Sequence, residues 1–393
     1  MRCLYQRLKR SDGQKLSSYI KTVIALGILI VVLWIPGFFP KFCDWYADNI
    51  YPKLCDGITF LTAWIPVAIG ELIMFLGGAG VFDAIIIGIL LIFLRKKSGF
   101  RSFAAAYFKT CLIALLVIVL IYMPTWYIPF NGTVLGMGNP ELRTEYSFEE
   151  IEELLQDIVE KGNEAAQEIA VTGDGSVAFN SPEDIHEKVV QDMAGLGSEY
   201  SRLSGTYPKV KIAICSDILD RMNIGGYNYP FTMEPTRNKY INPLYLAILE
   251  AHELAHHKGY YKENEANFLS QLALSRSTDP YLRLAAYMNM YSYVYADYAK
   301  AYEKEYGRPL DIDKDQYPKF DERVDIINQA AIDEEQVIYD ADSHIIDNFP
   351  ALDRLIHNTA DKGWEVQDDI LEENSYDGVV LLLLQYYYGE LDK

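Results

Sequence analysis

Three long apolar runs in the first third of this 393-residue chain limit what it can fold into. Thr22–Phe39 is 18 residues without a charge, just long enough to cross the roughly 30 Å hydrocarbon core of a bilayer. Trp64–Leu94 is a 31-residue stretch interrupted only by Glu71 and Asp83. Thr110–Tyr127 is a third 18-residue run, closed by Trp126 and Tyr127, ring types that anchor at the membrane–water boundary. A soluble core could bury one such helix, but three in succession exceed what a domain of this size can cover. The expected architecture is a multi-pass α-helical membrane region over residues 1–127, with spans near 22–39, 66–94 and 108–127. Two or four crossings are the alternatives. No small-residue cleavage site follows the first run, so it reads as an anchor rather than a removed signal peptide.

Basic residues orient the spans. Arg2, Arg7, Lys9, Arg10, Lys15 and Lys21 precede the first, and Arg95, Lys96, Lys97, Arg101 and Lys109 lie between the second and third. Only Lys41 and Lys53 occupy the intervening loop. Positive flanks stay in the cytoplasm, so the N-terminus is expected inside and residues 128–393 outside. Residues 1–125 carry 13 Lys and Arg against 6 Asp and Glu, whereas the remainder carries 22 against 49, a net −27. So acidic a domain repels phosphate backbones, which argues against a nucleic-acid partner. The acid excess would favour basic peptides, although solubility is the simpler reading.

Chemistry concentrates in Glu250–Phe268, which reads EAHELAHHKGYYKENEANF. His252, Glu253 and His256 form H-E-x-x-H. On a helix the two histidines lie one turn apart on one face and can share a zinc ion. Glu253 is rotated by about 100°, which aims its carboxylate at a water on the metal, as a general base requires. Tyr245, Ile248 and Leu249 precede the histidines on their face, so the imidazoles point inward, where a metal would satisfy them. Gly259 marks a helix stop, and a second helix is expected from about Lys262 to Arg276. On it, Glu265 shares an apolar face with Leu269, Leu272 and Ala273, while Glu263 shares a wetter stripe with Asn267, Ser270 and Leu274. Glu265 is therefore the expected third ligand, with Glu263 the alternative. His257, a further 100° or so around the helix, is expected at the surface.

His252–His256 followed by Glu265-Ala266-Asn267 resembles the gluzincins, zinc peptidases in which two histidines and a downstream glutamate hold the metal. More of the chain is similar to a bacterial membrane family, domain of unknown function 3810, whose members pair transmembrane segments with HELAH and E-A-N-F elements. Ile65-Pro66 through Gly70-Glu71, Tyr229-Pro230-Phe231-Thr232 and Ser375-Tyr376 also resemble that family, whereas His357–Trp364 departs from it. The resemblance implies a zincin-like fold, a bacterial cell-membrane location, and a substrate-pairing strand at the cleft within Tyr229–Tyr240.

The rest of residues 128–393 reads as mainly helical with a little sheet. Ser147 and Glu150 form a capping box ahead of the apolar stripe Ile151, Leu154, Leu155 and Ile158. Ser181-Pro182 with Asp184 opens another helix, carrying Ile185, Val189 and Met193. Val210–Cys215 and Tyr227–Thr232 read as strands around Gly225-Gly226. Tyr-rich helices are expected over Asp279–Tyr306, Lys319–Ile346 and Tyr376–Tyr388. Cys43 and Cys55 share a loop and could pair in an oxidising compartment, while Cys3 and Cys111 are membrane-proximal and Cys215 is expected as a buried thiol. His344, His357 and Tyr376 are the downstream groups able to donate to an oxyanion, and spacing selects none of them.

Together these features describe a membrane-anchored zinc metallopeptidase acting on a peptide or protein substrate. The alternative is a membrane-bound binding or structural module in which zinc only braces the fold. Glu253 favours the enzyme, because a brace needs no base. Glu71, an acid inside an apolar run, suggests intramembrane proteolysis, but it has no ligand set of its own. The charge asymmetry makes a direct expectation: protease added to intact cells or spheroplasts degrades the C-terminal domain. A domain protected until the membrane is broken would reverse the orientation.

Overall fold

A computed structural model describes residues 17–137, 142–342, 344–351, 353–360 and 376–391. Cys3, the N-terminal basic residues Arg2 to Lys15, Trp364 and Ser375 lie outside the described residues. Among the described residues, three helices are long and apolar enough to cross a membrane: Ser18–Phe38, Ile69–Leu94 and Ser98–Phe130. The first contains α1 (Ser18–Trp34) and a 3-10 turn, Ile35–Phe38. The second is α4 (Ile69–Leu94). The third contains α5 (Ser98–Tyr122), then a π-helical turn Met123–Tyr127 and Ile128–Phe130. It begins some ten residues earlier than its apolar run, because the segment around Arg101 and Lys109 keeps helical geometry while its cations stay outside the uncharged stretch.

Between the first two spans lie the short helices α2 (Pro40–Asn49) and α3 (Tyr51–Thr62). Both start with Pro in the first turn, where its missing N–H costs nothing. The Cys43 and Cys55 thiols are free. Each donates to a carbonyl instead, Cys43 to Pro36 and Cys55 to His257, both at 3.2 Å, so the possible disulfide is not formed. With Tyr46, Tyr51, Ile128, Met233 and Tyr261 they form a small apolar core of their own.

The remainder is mostly helical, around a second and larger core. α6 (Phe148–Glu168) opens with both halves of the expected capping box, and α7 (Pro182–Gly195) is capped by Ser181. Next come β1 (Lys211–Ile212), the short α8 (Ser216–Arg221), β2 (Gly226–Asn228) and β3 (Pro235–Arg237). The helices α9 (Pro243–His257), α10 (Glu263–Ser275), α11 (Pro280–Tyr306), α12 (Glu322–Asp340) and α13 (Tyr376–Tyr387) complete the fold. The sheet order is β1-β3-β2, with β1 parallel and β2 antiparallel to the central β3. The expected strand over Val210–Cys215 shrinks to two residues because Ser216 starts a helix, its hydroxyl donating to the Ala213 carbonyl at 2.7 Å.

Buried polar contacts fix the second span to this domain. Glu71 is fully buried, and its two carboxylate oxygens accept the Ile214 and Cys215 N–H groups, each at 2.8 Å. The Gly70 N–H donates to Glu234 at 2.9 Å, and a Cβ at Gly70 would stand 2.2 Å from the Tyr229 ring. Lys211 pairs with Glu234 at 2.5 Å and donates to the Thr62 and Val67 carbonyls. Glu71 therefore serves as an anchor between span and domain, with both oxygens committed to backbone donors.

Candidate metal centre

The helix α9 starts where Asn242 accepts the Tyr245 N–H at 2.8 Å, with Pro243 in its first turn. Its flanks are buried by Leu244, Ala247, Ala251 and Leu254, among others, which fixes the direction of each remaining side chain. It ends at His257. Gly259 follows at φ +91°, a left-handed conformation that L side chains rarely adopt. A Cβ there would also stand 3.0 Å from the Tyr51 ring. The tight return brings α10 back so that its first residue, Glu263, faces the last two turns of α9. A carboxylate in the first turn of a helix also gains from the helix dipole.

Three donor atoms converge at this corner. His252 Nε2 lies 3.2 Å from one Glu263 oxygen and His256 Nε2 lies 3.5 Å from the other. All three donors fall within 4.8 Å of one another. Tetrahedral zinc with bonds of about 2.0–2.1 Å holds neighbouring donors about 3.3–3.4 Å apart, and each imidazole stands near that distance from one of the two Glu263 oxygens. His256 donates its Nδ1–H to the Tyr260 carbonyl at 2.8 Å, which leaves Nε2 as the ring atom directed at Glu263. A ligating histidine needs such an outer hydrogen bond to fix its tautomer. The donor set fits zinc.

Glu263 thus takes the place expected for Glu265. Glu265 is buried on the other side of α10, where it accepts the Leu135 N–H at 2.7 Å. The physical reason is that the site opens onto a cleft, so the residue reaching it lies on the wetter stripe of α10. Apolar neighbours instead turned Glu265 into the structure. His257, expected at the surface, is fully buried and donates from Nδ1 to the Met233 carbonyl at 2.8 Å. Burial pushes its pKa down to about 4, so it is held neutral.

The electrostatics suit a cation. Burial alone would raise the Glu263 carboxyl, but the two imidazoles outweigh it and hold the group well below the usual carboxylate range. Burial alone would lower His256, yet Glu263 and Glu253 raise it to about 9. Glu253 behaves differently. It is 3% exposed, and burial raises its carboxyl to about 7 against the opposing pull of His252 and His256. Its Oε2 is buried without a hydrogen-bond partner. Gly226 lets the chain pass close to it, since a Cβ there would stand 2.9 Å from Glu253 Oε1 and 2.8 Å from the Thr236 carbonyl oxygen.

A cleft of about 500 Å³ opens over these groups, lined by His252, Glu253, His256 and Glu263 and walled by Gly225–Asn228. The bordering strand is therefore the sheet-edge strand β2, whereas the expected segment Tyr229–Tyr240 supplies the central strand β3. Tyr245, Asn267, Asn289, Tyr293 and Trp126 also line the cleft. His344 is not among them, because Asp217 and the Tyr339 carbonyl hold its ring at 2.8 and 3.0 Å. Nor is His357, which sits 3.5 Å from Asp353. The side chain of Tyr376 lies outside the described residues. Tyr293 was hidden in the sequence among the evenly spread tyrosines of α11, and Trp126 by its place at the end of a span.

Three spans' worth of apolar helix joined to a helical domain define a candidate membrane protein, and its His-His-Glu corner is a group of side chains able to hold a metal ion. Residues 46–334, well over half of the chain, match the family described as protein of unknown function (DUF3810), and the chain belongs to that family. No curated protein and no solved structure matches it.

The geometry separates the two glutamates. Glu263→Ala is expected to abolish stoichiometric zinc in the purified full-length protein, while Glu265→Gln keeps it, as read by elemental analysis. Retention by the first and loss by the second would restore Glu265 as the ligand.

Proposed function

We propose that this protein is a membrane-anchored zinc metallopeptidase of gluzincin-like character, with His252, His256 and Glu263 as metal ligands and Glu253 as general base. The observation that carries this reading is the Glu253 carboxylate, buried without a partner for Oε2 beside the three donors and facing an open cleft. A structural zinc site is closed and has no use for an orphaned acid next to it, whereas a buried polar group without a partner needs an explanation. When bound, zinc supplies Lewis acidity, which acidifies water and polarises a carbonyl.

The chain's own residues do the rest. Glu253, its carboxyl already shifted toward neutrality by burial, takes a proton from the attacking water as the oxygen bonds to the peptide carbonyl carbon. It then delivers that proton to the amine nitrogen as the C–N bond breaks. The cleft lining carries the Tyr227, Tyr245 and Tyr293 phenols, groups of the type that donates to a developing oxyanion. The edge strand β2 offers backbone for an extended peptide to add alongside, which would align a scissile bond over Glu253. Gly226 supports this by keeping strand and base in close approach.

Glu253→Gln keeps size and shape but cannot accept the proton. It is expected to retain zinc and fold while losing on the order of 10²–10⁴ in cleavage rate against a diverse peptide library. His252→Ala should lose zinc as well. Wild-type protein that binds zinc yet cleaves nothing, or a Glu253→Gln variant as fast as wild type, would replace the peptidase with a structural module.

A further inference from the structure

The cleft sits at the root of the spans. Trp126, which lines it, belongs to the third apolar helix, in the π-helical turn near the end of that helix. Its ring lies 4.1 Å from the Tyr261 ring, and Tyr261 stacks at 6.3 Å on His256. Tyr261 also donates to the Thr125 carbonyl at 2.6 Å, and Lys262 sits 3.4 Å over the Phe130 ring. The second span is equally close: Tyr229, which follows the cleft strand β2, packs on Gly70 and donates to the Met74 sulfur at 3.4 Å. On the same side, α2, α3 and the turn after α3 leave Trp45, Phe60, Leu61 and Trp64 exposed, Phe60 and Trp64 by 81% and 78%. Large rings uncovered beside span ends belong in the headgroup layer, where their apolar bodies leave water. With those rings in the boundary, the metal corner stands two ring contacts, of 4.1 and 6.3 Å, from Trp126 at the bilayer surface. Extended chain advances about 3.3 Å per residue, so a peptide emerging from the membrane reaches Glu253 within a handful of residues.

Resting on the peptidase reading, we propose that the substrate is a polypeptide anchored in the same bilayer and cut within a few residues of the point where it leaves the membrane. The short reach from Trp126 to His256 selects it. A segment far from its anchor must loop back past the exposed rings of α2 and α3, whereas a juxtamembrane segment enters directly along β2.

The test holds tethering constant and varies distance. Full-length protein is reconstituted in liposomes with randomised ten-residue windows joined to one transmembrane helix through a spacer of 3 or 30 residues, on the domain side. Cleavage is read by mass spectrometry. In parallel, photocrosslinking of the same probes to the Glu253→Gln variant reads binding without turnover. The short spacer is expected to win by at least tenfold in both. Equal rates and equal crosslinking for the two spacers, or a preference for the long one, would overturn the proposal while leaving a peptidase in place. Short-spacer crosslinking without cleavage by the unmutated protein would keep the juxtamembrane site and remove the peptidase reading.

Discussion

The carbonyl of His257 holds the two halves of this molecule in register. At the C-terminal end of α9 it has no helical partner, and burial there would be costly without a donor. Tyr51 and Cys55 of α3 supply donors, each at 3.2 Å. The Tyr51 and Tyr261 hydroxyls lie 2.6 Å apart, and their two protons are shared among that contact, the His257 carbonyl and the Thr125 carbonyl. A continuous buried chain thus runs from the membrane-proximal helices through the end of the histidine helix to the last turn of the third apolar helix. Every position in the metal corner is set relative to that chain, because His256 and Tyr260 flank it and Glu263 follows it by two residues.

A second polar layer supports the opposite face of α9. Glu250, buried two residues before the motif, pairs with His186 at 2.8 Å and Arg237 at 3.3 Å. Arg237 belongs to β3, so the central strand is fixed to the helix carrying Glu253. Burial lowers the Arg237 pKa, which Glu250 opposes. Isolated, such buried charges would be expensive. Paired, they set the separation between sheet and helix, and with it the width of the cleft between β2 and Glu253.

Much of this was legible in the sequence, and the exceptions have physical causes. The apolar runs, the Ser147–Glu150 box, the Gly259 stop and the α9–α10 pairing follow from local rules. The choice between Glu263 and Glu265 did not, because periodicity shows which stripe of α10 is apolar but not whether the site faces core or cleft. Glu265 is buried for a different purpose, receiving the Leu135 N–H and so fixing the segment that follows the third span. His257 and Lys258 are polar residues buried by long-range partners, Met233 for the first and the Ser204 and Thr206 carbonyls for the second. No helical wheel contains those contacts. Strand lengths failed similarly, since β1 to β3 are short pieces defined by one another and by α9.

X-ray absorption at the zinc edge of the purified full-length protein tests the central claim most directly. The account predicts one zinc per chain with only nitrogen and oxygen neighbours at about 2.0–2.2 Å, two of them imidazoles. A sulfur shell near 2.3 Å would contradict it, as would zinc binding that survives removal of both His252 and His256.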